Sequence, residues 1–308
     1  MDSEFNTTFL TFGGHLELQT YRFLYFVIML AVYILILCSN MTIICLICIH
    51  KNLHEPMYIF IAALLTNAIL YSTSIYPKLL IDFLSEKQTT TYPKCLIQSF
   101  LYYSLNGAEF LLLSVMAYDR YVSICRPLQY HSVMTKTTVA IFLSCSWLIS
   151  ACQIAVPVAL SVNAKLCNFI LKGILCNNLI YKLHCVSSAA LSIYGLIVLI
   201  NVTVLPVLFV LFTYAKIFVI TYRSGREVKK KAAQTCLPHL LVLLNFTYLV
   251  TFDVIIVKLE SDLPNSVRLT MTLQVIICHP LFNPIIYGLK MKEITKHLKR
   301  ISCQEKLK

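Results

Sequence analysis

The chain predicts an all-α membrane protein, a seven-transmembrane helix bundle followed by a short amphipathic cytoplasmic helix. Three observations carry that prediction. Of 308 residues, 58% are hydrophobic and only 13% charged, with a mean hydropathy of +0.75, a balance that a soluble domain of this length does not show. The apolar residues gather in seven runs, each reaching the roughly 20 residues a helix needs to cross a hydrocarbon core about 30 Å thick. Lys and Arg concentrate in alternate connections. Lipid offers no partner to backbone groups, so spans of this length must be helices.

In chain order, residues 1–23 form an N-terminal tail, and the spans are expected at 24–49, 57–83, 95–122, 139–160, 189–222, 235–257 and 267–289. Residues 24–289 thus form one membrane domain, and 290–308 a basic cytoplasmic helix and tail. The run starting at Leu24 is too long for a cleavable signal peptide, so the first span is expected to act as its own insertion signal. Asn6-Thr7-Thr8 is a glycosylation acceptor in the tail. Asn40-Met41-Thr42, Asn201-Val202-Thr203 and Asn245-Phe246-Thr247 also match but lie inside spans, where a glycan has no room.

With the N-terminus outside, 17 of the 26 Lys and Arg residues fall on the cytoplasmic side and 9 on the other. The positive-inside rule therefore predicts an external N-terminus and an internal C-terminus in the plasma membrane. Basic edges facing anionic lipid account for the net charge of +12, so no nucleic-acid partner is needed.

Six of the 13 cysteines, Cys38, Cys45, Cys48, Cys145, Cys152 and Cys278, fall within spans and read as small apolar residues. Four others, Cys95 at the start of the third span and Cys167, Cys176 and Cys185 in the loop after the fourth, lie where an oxidising exterior reaches them. Four cysteines allow three pairings. A Cys95–Cys176 bridge would pin the loop over the bundle and leave Cys167 to Cys185. Cys303 is a candidate for lipidation, with a free thiol as the alternative.

The third span carries the densest chemistry. Tyr118-Asp119-Arg120-Tyr121 sets two charges side by side at its inner end, where an unpaired charge is costly, so Asp119 and Arg120 must neutralise each other or meet partners from another helix. At about 100° per residue, Tyr102 lies five turns before Arg120 on the same face, and Asn106 and Glu109 fall within about 40° of that line. A helix facing lipid would not carry this polar stripe, so the face points into the bundle. At mid-membrane, Glu109 must be protonated or paired, with Asn40, Asn67, Asn283 or a sodium ion as candidate partners. Pro157, Pro206, Pro238, Pro280 and Pro284 each free a carbonyl within a span and permit a kink.

Met116-Ala117-Tyr118-Asp119-Arg120-Tyr121-Val122-Ser123-Ile124-Cys125-Arg126-Pro127-Leu128-Gln129-Tyr130 closely resembles the third-span signature of odorant receptors, a branch of the rhodopsin-like G-protein-coupled receptors. Pro56-Met57-Tyr58, Lys231-Ala232 with Thr235-Cys236 and His239, and Pro280 with Asn283-Pro284-Ile285-Ile286-Tyr287 stand in matching order, together with the three loop cysteines. The resemblance implies a receptor in the cilia of olfactory neurons, coupled to a stimulatory, olfactory-type heterotrimeric G protein that raises cyclic AMP. It implies that Arg120 is a latch and part of the G-protein contact and that Asp119 restrains it. Tyr121, Lys231 and His239 would belong to the same switch, with Asn283, Pro284 and Tyr287 moving at the inner end of the last span. The pairings it implies are Cys95–Cys176 and Cys167–Cys185. The chain departs from the family at Ala68, where an acidic residue is usual, so a sodium ion would rest on Glu109 without its customary partner. Asn67 beside it resembles the branch of aquatic vertebrates and favours water-soluble odorants. Gln234 and Pro238 replace more usual serines.

A small-molecule site is expected between the outer halves of spans three, five, six and seven, lined by Tyr102, Tyr103, Asn106, Tyr194, Tyr248, Thr251, Asp253 and Leu273. Asp253 could meet a cationic ligand group or pair with Lys258. No lysine lies between Arg268 and Lys290, so retinal cannot be held there as a Schiff base. No carboxylate stands between Tyr102 and Asn106, which argues against a biogenic amine. The histidines are scattered and neither His-Glu-x-x-His nor Gly-x-x-x-x-Gly-Lys occurs, so no enzyme is expected, and no cofactor beyond a possible sodium ion. A peptide or lipid receptor could use the same inner motifs, but the short tail and loop cysteines count against it. A transporter would show internal repeats, and none is found.

Overall fold

The computed structural model describes residues 9–14, 21–186, 188–222, 225–258 and 264–305. Among the described residues, seven helices are long and apolar enough to cross a membrane. They are α1 (Arg22–Ile49), α2 (Pro56–Leu84), α3 (Tyr92–Cys125), α5 (Lys136–Ser161), the pair α6 (Ala189–Leu199) and α7 (Leu205–Tyr222) that together make the fifth span, α8 (Arg226–Lys258) and α9 (Asn265–Lys290). A single turn, α4 (Tyr130–Val133), lies between α3 and α5, and α10 (Lys292–Glu305) follows α9. The expected spans are all present. Most helices outrun them by one to three residues at an end, and α8 by more than two turns, because backbone hydrogen bonding continues past the apolar run: α8 starts in the basic stretch at Arg226.

The third span is central, touching α2, α5, α7 and α8. Gly107 permits its close approach to α5, since a Cβ there would stand 2.3 Å from Ser150 Oγ. That hydroxyl donates to Ser104 O at 2.7 Å and ties the two helices. The outward faces of α1, α5 and the fifth span present large apolar side chains such as Phe23, Leu35, Leu148, Ile193, Phe212 and Phe218, the surface that lipid solvates.

Prolines break the helix ladder at predictable places. A proline at position i leaves the carbonyl at i−4 without its usual donor. Pro280 frees Ile276, whose oxygen accepts from Tyr76 OH at 3.2 Å. Pro284 frees Pro280, which accepts from Asn40 Nδ2 at 3.1 Å. Pro157 frees Gln153, which accepts from Tyr194 OH at 3.1 Å. Ahead of Pro206 the fifth span widens into a π-helical turn, Ile200–Val204, one of the few ways to pass a missing donor without breaking the helix.

The all-helical expectation omits one feature. Strand β1 (Phe9–Phe12) pairs antiparallel with β2 (Thr89–Thr91) and parallel with β3 (Ile170–Leu171), forming a three-stranded sheet in the order β2-β1-β3. Leu10 and Phe12 point inward and Phe9 outward, the alternation of a strand with one covered face. They pack on Tyr92, Leu96, Leu171, Leu179, Ile180 and Leu183. The tail of four-residue alternation is too short to announce itself as a strand, so the sequence shows only a tail. Where the chain leaves β1, Gly14 lies so close to Gly173 that a Cβ would come within 2.7 Å of its carbonyl carbon. Both cysteine pairs form, Cys95–Cys176 and Cys167–Cys185, with Cα separations of 5.3 and 4.7 Å.

Candidate ligand region and switch

The polar stripe of α3 faces the bundle as its periodicity requires. Tyr102, Glu109, Asp119 and Arg120 are buried and Asn106 is half-buried. At the disulfide end, Tyr102 packs on Tyr71 (ring centroids 5.4 Å apart) and on Tyr103 (4.9 Å). The Tyr103 hydroxyl accepts from the backbone N–H of Asn178 at 3.1 Å, just beyond the bridged Cys176. Gln98 accepts from Cys176 N–H at 3.1 Å and donates to Ser74 O at 3.2 Å. The loop after α5 is therefore tied to the same helix face that carries the candidate ligand residues.

Leu273 packs in the apolar cluster that holds Tyr71, Tyr102 and Ile276. Tyr194 belongs to the neighbouring cluster with Ile154, Val198 and Val202, and Tyr103 borders both clusters. Tyr102 and Leu273 thus lie in one apolar cluster and Tyr194 in the next, and Tyr103 joins the two; Asn106 sits one turn along α3 from Tyr102. Two polar groups there are already engaged, the Tyr194 hydroxyl on Gln153 and the Asn106 amide on Tyr102 O at 2.9 Å.

Tyr248 and Thr251 do not join them. The buried stripe of α8 runs through Cys236, His239, Val242, Leu243, Phe246 and Leu249, and Tyr248 stands about 200° around the helix from Phe246. It is 53% exposed, and Thr251 is exposed with its hydroxyl donating to Thr247 O. Their depth in the span suits the site, but their helical phase does not. The side chains of Asp253, Lys258, Lys231 and Cys303, and all of Asn6, lie outside the described residues.

Midway along the bundle, Glu109 is fully buried and carries three donors. Asn67 Nδ2 reaches Oε2 at 3.1 Å, His279 Nε2 reaches the same oxygen at 2.8 Å, and Asn283 Nδ2 reaches Oε1 at 2.7 Å. Of the neighbours expected from sequence, Asn67 and Asn283 pair with the carboxylate. Asn40 does not, because its amide is spent on the carbonyls of Ile36 and Pro280. Asn67 also donates to Leu105 O at 3.0 Å and accepts from Trp147 Nε1 at 3.1 Å, so the cluster links α2, α3, α5 and α9. His279 and Trp147 are partners that the sequence pattern does not single out. An ionisable residue in mid-span is the one signal for His279.

At the other end of α3, Arg120 Nε donates to Asp119 Oδ2 at 2.9 Å, and Nη2 donates to the same oxygen. The two charges neutralise each other. A third partner, also unforeseen, is Tyr130 on α4, whose hydroxyl donates to Asp119 Oδ1 at 2.9 Å. Burial, reinforced by the Asp119 carboxylate, pushes the Tyr130 phenol above its ordinary range and keeps it a donor. Breaking a buried pair of this kind costs about 3–5 kcal/mol, since it strands the remaining charge.

Other switch candidates lie close by. His239 is buried and its Nδ1 bonds the Tyr214 hydroxyl across α7 and α8. Tyr287 and Pro284 are buried, and the Tyr287 hydroxyl has no hydrogen-bond partner among the described residues. Tyr121 is half-buried with the Arg126 guanidinium 5.9 Å from its ring centroid. Asn283 is turned toward Glu109, so it joins the last span to the mid-bundle cluster.

A seven-helix bundle with a buried acid–arginine pair at one end of its central helix and a disulfide-pinned loop at the other is the architecture of a membrane receptor. A family profile described as Olfactory receptor matches residues 29–305. Three similar human (Homo sapiens) proteins are olfactory receptor 13C2, 33% identical over 94% of this chain and 92% of its own length; olfactory receptor 11A1, 34% identical over 94% and 92%; and olfactory receptor 2AT4, 32% identical over 93% and 90%. The chain belongs to the olfactory receptor family, as a multi-pass membrane protein whose partners are odorants and G proteins.

Proposed function

We propose that a small odorant binds among Tyr102, Tyr103, Asn106, Tyr194 and Leu273, and that the event reaches a stimulatory, olfactory-type G protein at the Arg120 end, raising cyclic AMP. In this reading the N-terminus and disulfides face the exterior at the plasma membrane of an olfactory cilium, and Asn6 carries a glycan. The observation that carries it is the continuity of α3. One buried face holds the aromatic rings of the ligand region, the Glu109 cluster and the Asp119–Arg120 pair, roughly 27 Å of rigid helix at about 1.5 Å per residue. Each polar station has partners on another helix, so a displacement at one end changes contacts along the rod.

The test is expression with a cyclic-AMP reporter, a screen of water-soluble odorants, and comparison with Arg120→Ala at matched surface level. The expected outcome is a saturable response in the unmodified receptor that Arg120→Ala abolishes. An equal response from the variant would overturn the latch assignment. Replacing Tyr102 or Leu273 by Ala should move the half-maximal odorant concentration at least tenfold, whereas Tyr248→Ala should leave it unchanged.

A further inference from the structure

We infer that His279 is the built-in occupant of the Glu109 carboxylate and that it closes this site to a sodium ion. Hard cations are held by oxygen donors such as carboxylates, carbonyls and water. The groups around Glu109 aim nitrogen at it instead. Asn67 cannot be turned to offer its oxygen, because that oxygen accepts from Trp147 Nε1, and an indole nitrogen only donates. Its Nδ2 therefore faces Glu109 at 3.1 Å. Asn283 Nδ2 covers Oε1 at 2.7 Å. The neighbouring position on α2 is Ala68, which adds no oxygen ligand.

His279 completes the enclosure. Its Nε2 lies 2.8 Å from Oε2, and both side chains are fully shielded from solvent. Its Nδ1 has no hydrogen-bond partner among the described residues. A buried N–H without an acceptor is costlier than a bare ring nitrogen, so Nε2 is the nitrogen that carries a proton, and it donates to Glu109. The ring has little freedom to withdraw. Tyr71 meets it edge-on with centroids 4.5 Å apart, and Phe246 stacks on it at 4.6 Å. A tethered side chain thus holds the place an exchangeable ion would need. Since Tyr71 also packs on Tyr102, the occupant touches the wall of the ligand region. That last link rests on the proposed ligand site, whereas closure to sodium does not.

The experiment is thermal unfolding of the purified full-length receptor in sodium chloride against choline chloride at equal ionic strength, which cancels screening. It needs no odorant and no G protein, so its failure is separate from failure of the functional reading. The unmodified receptor should unfold at the same temperature in both salts. His279→Ala, which removes the occupant, and His279→Asn, which adds an oxygen, should gain a saturable sodium-dependent rise of about 2–4 °C. Glu109→Gln in the His279→Ala background should remove it. Sodium stabilisation of the unmodified receptor that Glu109→Gln abolishes would overturn the proposal. So would indifference to sodium in both His279 variants, since His279 would then not be what excludes the ion.

Discussion

A carbonyl freed by proline inside a membrane is a local debt, and this chain settles three of them with side chains from neighbouring helices: Tyr76 for Ile276, Asn40 for Pro280 and Tyr194 for Gln153. Removing the Tyr76 hydroxyl leaves a buried carbonyl with no donor, a cost of about 1–3 kcal/mol. Tyr76→Phe should therefore lower the unfolding temperature of the purified receptor measurably. Tyr33→Phe removes an exposed hydroxyl contact to Thr73 and should change it little. The Asp119 carboxylate offers a second case. Arg120 and Tyr130 share its two oxygens, so Tyr130→Phe weakens the anchor of the latch without touching the arginine. The expected result is a raised cyclic-AMP signal without odorant at unchanged surface expression, and an unaltered baseline would show that Tyr130 does not restrain the pair.

Among the elements, the loop between α5 and α6 is built most tightly. A disulfide closes it on itself, another ties it to α3, and β1 lies across it. His184 adds a titratable contact. Tyr92 OH donates to Ser161 O at 2.7 Å, so His184 Nε2, 3.0 Å away, must donate to the Tyr92 oxygen. Burial lowers the His184 pKa below its ordinary value of 6.5, while Tyr181 beside it, pushed up to about 12 by burial, stays protonated and contributes nothing near neutrality. The folded state resists protonating this imidazole more than the unfolded chain does. Its contribution to stability is therefore full above about pH 6.5 and is lost as pH falls through the lowered folded value. Unfolding temperature should drop on acidification from pH 7 to 5, and His184→Gln should flatten part of that slope. Identical slopes for both proteins would remove His184 from the account.

On the scale of the whole molecule, the sequence announces what periodicity and charge can encode. Seven spans, the inward face of α3 and the partners Asp119 and Arg120 follow from apolar length and helical phase. What stays hidden depends on which helices meet. Tyr130 reaches Asp119 only because α4 folds back beneath α3, and Trp147 reaches Asn67 only because α5 packs beside α2. Tyr248 shows the converse, a residue at the right depth on the wrong face. The proposed sidedness rests on two independent arguments. The sequence assigns 17 of its 26 basic residues to the side of Arg120, which favours the cytoplasm, and both disulfides lie at the opposite end of α3, where formation needs an oxidising compartment. An N-terminal epitope should therefore bind antibody on intact cells, and a C-terminal epitope only after permeabilisation. Because an odd number of spans must separate the two termini, finding both epitopes on one side would refute the seven-span topology itself. Finding both exchanged would preserve the bundle but set the disulfides in a reducing cytosol, which the chemistry of cysteine does not favour.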